Sequence, residues 1–96
     1  MERLKRFDIA RYGTVLMVVV ESELLPQDPA VVVIPLLSDY PVVRSLNPTI
    51  QVGDRQLVLA TRLIGAVRRS SLHCVGSAAD QRDEITKAID ILMEGV

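Results

Sequence analysis

Two stretches of this chain, Thr14-Val15-Leu16-Met17-Val18-Val19-Val20 and Val31-Val32-Val33-Ile34, are apolar at almost every position. β-branched residues dominate both, which suits a pleated strand better than a helix. Neither run alternates apolar with polar, as a strand with one wet face would. Such strands need cover on both sides. A chain of 96 residues can supply that by closing its sheet into a barrel or by pairing with a second copy. A chain of this length buries roughly two-thirds of its unfolded surface, so one core and one domain, residues 1–96, are expected.

With no Trp and a single Phe, that core must be built from Val, Leu and Ile. A formal net charge of −1 gives no strong field for nucleic acid or a membrane surface. The apolar runs Val15 to Val20 and Ala30 to Leu37 are far shorter than the ~20 residues that cross a bilayer. Arg3, Lys5, Arg6 and Asp8 charge the start of the chain, but no apolar segment of a secretion signal follows them. The single Cys74 excludes an internal disulfide and fits a reducing compartment. A cytoplasmic location is expected.

Phe7 to Ala10 reads as a short first strand, paired with the run that follows Gly13. Pro35 ends the second Val-rich run, because proline cannot donate a ladder hydrogen bond. Between the two runs, Pro26 and Pro29 mark Glu21 to Pro29 as a loop. Leu24 and Leu25 sit oddly there, either as satellite core under the loop or as an exposed apolar contact. Ser38 to Leu46 is irregular, with a helical turn near Tyr40-Pro41. Thr49 to Val52, Gly53-Asp54 and Gln56 to Thr61 make a hairpin signal. Leu63 to Val67 is apolar and is broken by Arg68-Arg69, and Ser71 to Val75 is the last strand.

The final stretch carries apolar residues at Ile85, Ala88, Ile89, Leu92, Met93 and Val96. Spacings of three and four put them on one face of an α-helix. Ser77 can cap its start, with Asp80 three residues on. Asp83 and Lys87 stand one turn apart, acid first. The far end is unusual. A helix C-terminus favours Lys or Arg, yet Asp90 and Glu94 stand there with no base after Lys87. The tail is either frayed and solvated or an acidic tip left for a basic partner. Strands first and one helix last make an α+β fold with a mostly antiparallel sheet. Ile91 lies off the apolar stripe, and the Val-rich strands carry more apolar surface than one small barrel needs; either a dimer takes up that surface, or it is ordinary core with scattered surface apolars.

Catalytic constellations are scarce. His73 and Cys74 are adjacent, so on a strand they face opposite ways and form no dyad. One His and one Cys make no zinc site, and Cys74 reads as a small core hydrophobe. The glycines are isolated, so no phosphate loop is present. Asp80, Asp83 and Glu84 fit the positive end of the helix better than a metal. Arg62, Arg68 and Arg69 read as a solvated surface, because no aromatic platform accompanies them. No cofactor or metal is expected. Elimination favours binding through surfaces over catalysis.

Several segments together resemble one family. Val20-Glu21-Ser22-Glu23-Leu24-Leu25, Val33-Ile34-Pro35-Leu36, Leu46-Asn47-Pro48, Val52-Gly53-Asp54, Val58-Leu59-Ala60-Thr61, Ala66-Val67, Val75-Gly76 and Ala88 to Val96 look, in that order, like the CcdB toxins. The resemblance implies a small SH3-like antiparallel β-barrel, of the CcdB and MazF type, with one C-terminal α-helix and a homodimer. It also implies the toxin of a type II toxin–antitoxin pair, a protein rather than an enzymatic inhibitor. Such toxins bind the A subunit of DNA gyrase and trap it on cleaved DNA, and a labile antitoxin of the CcdA kind neutralises them. Contact with DNA is then indirect. The family's gyrase contacts match Asp90, Glu94, Gly95 and Val96, and its target-contacting loop pair matches Leu24 and Leu25.

Three departures stand out. The family's type member has Trp where this chain has Glu94, and that Trp stacks on gyrase arginines. Glu cannot stack, but it can pair with an arginine. Arg68 stands where the family often has Pro, and the segment from Pro26 to Asn47 is shorter. Two alternatives follow. One is a diverged homologue that keeps antitoxin binding but not gyrase. The other is an RNA-cleaving toxin resembling the MazF family, for which Arg62 beside Thr61 are the nearest candidates. On a strand those two would face opposite ways.

Overall fold

The computed structural model describes residues 3–95. Strand β1 (Asp8–Tyr12) turns at Gly13-Thr14 into β2 (Val15–Val19), with Tyr12 opposite Val15. Gly13 takes φ 60°, which the absent Cβ makes cheap. β2 pairs with the long β3 (Ala30–Leu37). Next comes the hairpin of β4 (Thr49–Val52) and β5 (Arg55–Leu59), closed by Gly53-Asp54 with Val52 opposite Arg55. β6 (Gly65–Arg68) and β7 (Leu72–Ser77) follow, and the helix α1 (Arg82–Glu94) ends the chain. Every strand pairing is antiparallel, in the order β4-β5-β3-β2-β1-β7, with β6 beside β3. The curled half-barrel of strands with one C-terminal helix is the α+β fold expected.

β3 organises the sheet. One edge meets β2. The other is divided: Ala30 to Val33 pair with β6, and Leu36 and Leu37 pair with β5. Pro35 sits at the division. The strand therefore does not stop there, contrary to the sequence expectation. A residue's N–H and C=O point to the same side of a strand, and the Pro35 carbonyl accepts Ala60 N–H at 3.0 Å between the two partners. The missing donor falls where no ladder bond is needed.

The absence of alternation in the Val-rich runs has a direct cause. Successive residues serve different cores. Val18 and Ile34 join Ile9, Leu36, Ile50, Leu57 and Leu59 on the face that α1 covers with Ile85 and Ala88. Val19 and Val33 join Ala10, Val31 and Leu72 on the other face, with Leu4, Met17 and Val67 at its margin.

Local chemistry moves several boundaries. The turn expected near Tyr40-Pro41 lies at Arg44–Leu46 instead, closed by Leu46 N–H and Asn47 N–H on the Val43 carbonyl. β5 ends at Leu59, and Thr61–Leu63 form a 3-10 turn. Leu63 to Val67 is thereby split between that turn and β6. Ser77 does not cap α1: its Oγ accepts Ala79 N–H at 3.1 Å, at the entry to a 3-10 turn, Ala79–Gln81, that precedes the helix. Gln81 then joins that turn to the sheet. Its Oε1 accepts Gln51 N–H at 2.8 Å, and its Nε2 donates to the Thr49 carbonyl at 3.0 Å. The outer edge of β4 is thus covered by a side-chain amide.

Candidate functional site

Two features project from this frame. The first is the end of α1. Ile85 and Ala88 are fully buried, whereas Asp90 and Glu94 are exposed and Met93 is 71% exposed. No basic residue stands in the last turn. Fraying was one expectation for this end. Instead Gly95 takes φ 71° and donates its N–H to the Ile91 carbonyl at 2.8 Å. That left-handed closure satisfies one of the terminal carbonyls. An acidic, solvent-facing tip is therefore held on a helix rooted in the core. Val96 lies outside the described residues.

The second feature is the loop from Glu21 to Pro29. Leu24 is 95% exposed and Leu25 57%, so neither is satellite core. Local bonds shape the loop: Leu24 N–H donates to Ser22 Oγ at 3.1 Å, and Ala30 N–H to Asp28 Oδ2 at 2.9 Å. Its two ends meet at Arg69. Arg69 Nη2 reaches Glu21 Oε2 at 3.3 Å, Nε donates to the Asp28 carbonyl at 2.9 Å, and its backbone N–H donates to the Pro29 carbonyl at 2.7 Å. Arg69 is only 5% exposed. It is not the solvated surface residue expected from the run Arg68-Arg69. A cleft of about 170 Å³ opens beside the loop, between Leu4, Val19, Leu25 and Val31, with Arg3 and Lys5 at its rim.

The loop and the tip lie on opposite faces of the sheet. Leu25 shares its cleft with Val19 and Val31, which belong to the second core cluster, whereas α1 packs on the first. Within one chain, then, the sequence-predicted residues form two patches: Leu24 with Leu25, and Asp90 with Glu94 and Gly95.

The residues singled out in the sequence for bond-making chemistry are not brought together. Thr61 is fully buried and its hydroxyl donates to the Leu46 carbonyl. Its neighbour Arg62 is exposed on the same 3-10 turn, rather than on a strand as expected. His73 and Cys74 are both exposed on β7, the outer strand beside β1. Cys74 is thus not the core hydrophobe expected, because an edge strand gives its side chains little cover. Among the described residues no group of three or more His, Cys, Asp or Glu could hold a metal ion. No helix among them is long and apolar enough to cross a membrane.

The family model described as CcdB protein matches residues 7–95. No curated protein matches the sequence significantly. A solved structure described as an endoribonuclease in complex with its cognate antitoxin, from Mycobacterial species, is similar with a TM-score of 0.79. The likeness covers 95% of each chain at 13% identity, which speaks for a shared fold.

Proposed function

The chain belongs to the CcdB family, and on that footing we propose that it is the toxin of a type II toxin–antitoxin pair, acting on the A subunit of DNA gyrase. The acidic tip carries this reading. Asp90, Glu94 and Gly95 are exposed at the end of a closed helix whose other face is locked into the core. Such a tip suits insertion into a basic site on a larger protein, with Glu94 pairing with an arginine where a stacking Trp serves the family. Leu24 and Leu25 form a second contact patch. Its place on the other face of the sheet means that one target site uses both patches only by wrapping the chain or by meeting two copies.

The functional unit on this reading is a homodimer of single-domain chains in the cytoplasm. Tyr12 is 41% and Val75 49% exposed, and Val15 and Met17 are only partly buried, so apolar surface remains for a second copy. Sedimentation showing only monomer at micromolar concentration would count against it. A cognate CcdA-like antitoxin binds the toxin, and contact with DNA is indirect.

Supercoiling and cleavage assays with gyrase test the main reading. Inhibition that disappears when Gly95 and Val96 are deleted supports it, and undiminished toxicity of the truncated chain dismisses it. The diverged homologue, which keeps the antitoxin but spares gyrase, draws on Glu94 itself. Tight antitoxin binding without any gyrase effect would establish it. RNA cleavage is disfavoured because the Thr61 hydroxyl is buried and engaged. Specific cuts in purified RNA would reinstate it.

A further inference from the structure

Arg69 is buried, positively charged and absent from every role so far assigned. Its three contacts all go to one element, the Glu21 to Pro29 loop. We propose that Arg69 is the positioning residue of this loop, fixing Leu24 and Leu25 in the pose in which they meet the target. The inference rests on reading the loop as a contact surface.

The geometry supports it in three steps. The loop contains neither strand nor helix, and its own hydrogen bonds span two or three residues, so little within it opposes opening. Leu24 at 95% exposure contributes nothing to the core. A loosely tethered loop would let it turn toward the floor of Leu4, Val19 and Val31 in the mixed polar and apolar cleft beside it. Arg69 prevents this by joining the loop's two ends, Glu21 before the leucines and Asp28 and Pro29 after them. The fork of a guanidinium is needed, because Nε and Nη2 serve different partners. Lysine offers a single point charge and cannot reproduce that division. Burial makes the arrangement firm, since a buried guanidinium without partners is costly. A pose held before the encounter removes the conformational loss that a mobile loop imposes on apparent affinity.

The test uses the full chain with R69K, L24S, L25S and the R69K/L24S double variant. Amide exchange is read at Leu24, Leu25 and Ala30 against the β2 and β3 amides, and affinity for the gyrase A subunit is read by calorimetry. In R69K the loop amides should exchange about tenfold faster, with the strands unchanged, and affinity should fall about tenfold. R69K should cost less affinity in the L24S background than in the parent, because Arg69 acts through the leucines and Leu25 alone remains. Unaltered loop exchange overturns the proposal, as does unaltered affinity. A loss of equal size in both backgrounds also overturns it, since that marks a general structural role. If R69K does not fold, E21Q removes the ion pair alone and is read by the same criteria. L24S and L25S both without effect on affinity remove the loop from the contact surface, and the proposal with it, while leaving the tip reading intact. No binding by the parent chain rejects the gyrase reading before any variant is made.

Discussion

Reversing the charge at the helix tip should make this protein more stable and less active. Glu94 is exposed in a last turn that lacks any base, one turn beyond Asp90. Two effects oppose it there. A negative charge beside the terminal carbonyls is unfavourable by about 0.3–1 kcal/mol at the surface, and the Asp90–Glu94 pair adds like-charge repulsion of about 0.2–0.5 kcal/mol. Glu94→Lys reverses both, and the new pair has its acid N-terminal to its base, the better order. Allowing for solvent screening of exposed groups, the gain should be about 1 kcal/mol, or about 4–8 °C in Tm for a domain of this size. Thermal melts at low salt and at 1 M salt check it, because the screening length shrinks from about 10 Å at 0.1 M to about 3 Å at 1 M. Most of the gain should disappear at high salt. A Tm that is unchanged or lower at low salt, or a gain that 1 M salt leaves whole, would refute the reasoning. Asp83→Lys in the first turn, where the acid is favourable, should lower Tm under the same conditions. If the tip meets a basic site, Glu94→Lys should abolish gyrase inhibition despite its higher Tm.

Other perturbations separate fold from function. Ile85→Ala empties a fully buried position beneath the helix and should cost about 2–5 kcal/mol, read as a lower urea midpoint. Thr61→Val removes the donor to the Leu46 carbonyl and should cost about 1–2 kcal/mol, read as a lower urea midpoint. Gly95→Ala meets no atom within 4 Å of its new Cβ, so its cost is the left-handed backbone alone, about 1 kcal/mol. It should appear as faster amide exchange at the end of α1 with the sheet unaffected. Leu24→Ser should leave stability within about 0.5 kcal/mol, because denaturation removes no burial at a site 95% exposed.

How much the sequence disclosed depended on how far away the deciding partner lies. Gly53-Asp54 signalled its hairpin because the turn and both strands are contiguous. That Val18 and Val19 both need cover was legible from composition, but the second core was not: one core was expected, and the two residues feed two. Pro35 misled because its tolerance rests on where β5 and β6 part company, which no local pattern reveals. Arg69 misled more strongly. Its side-chain partners lie 41 and 48 residues away, and beside Arg68 it looked like one more solvated charge. The acid Glu21, just ahead of the apolar loop, was the charge signal available for it; Asp28 meets Arg69 through its backbone carbonyl, which any residue could supply. Within the candidate site the tip and the loop could each be singled out, but their placement on opposite faces depends on the pleat register of β2 and β3.

The divided edge of β3 has a consequence for synthesis. This Val-rich strand is satisfied only when β2, made before it, and β5 and β6, made after it, are all in place. Until the ribosome has passed Arg68, Ala30 to Val33 present bare amides and carbonyls along one side, the kind of segment that recruits other chains. Chains terminated before β6 should therefore be lost to aggregation rather than persist as a soluble, partly folded species, and they should be recovered in the insoluble fraction.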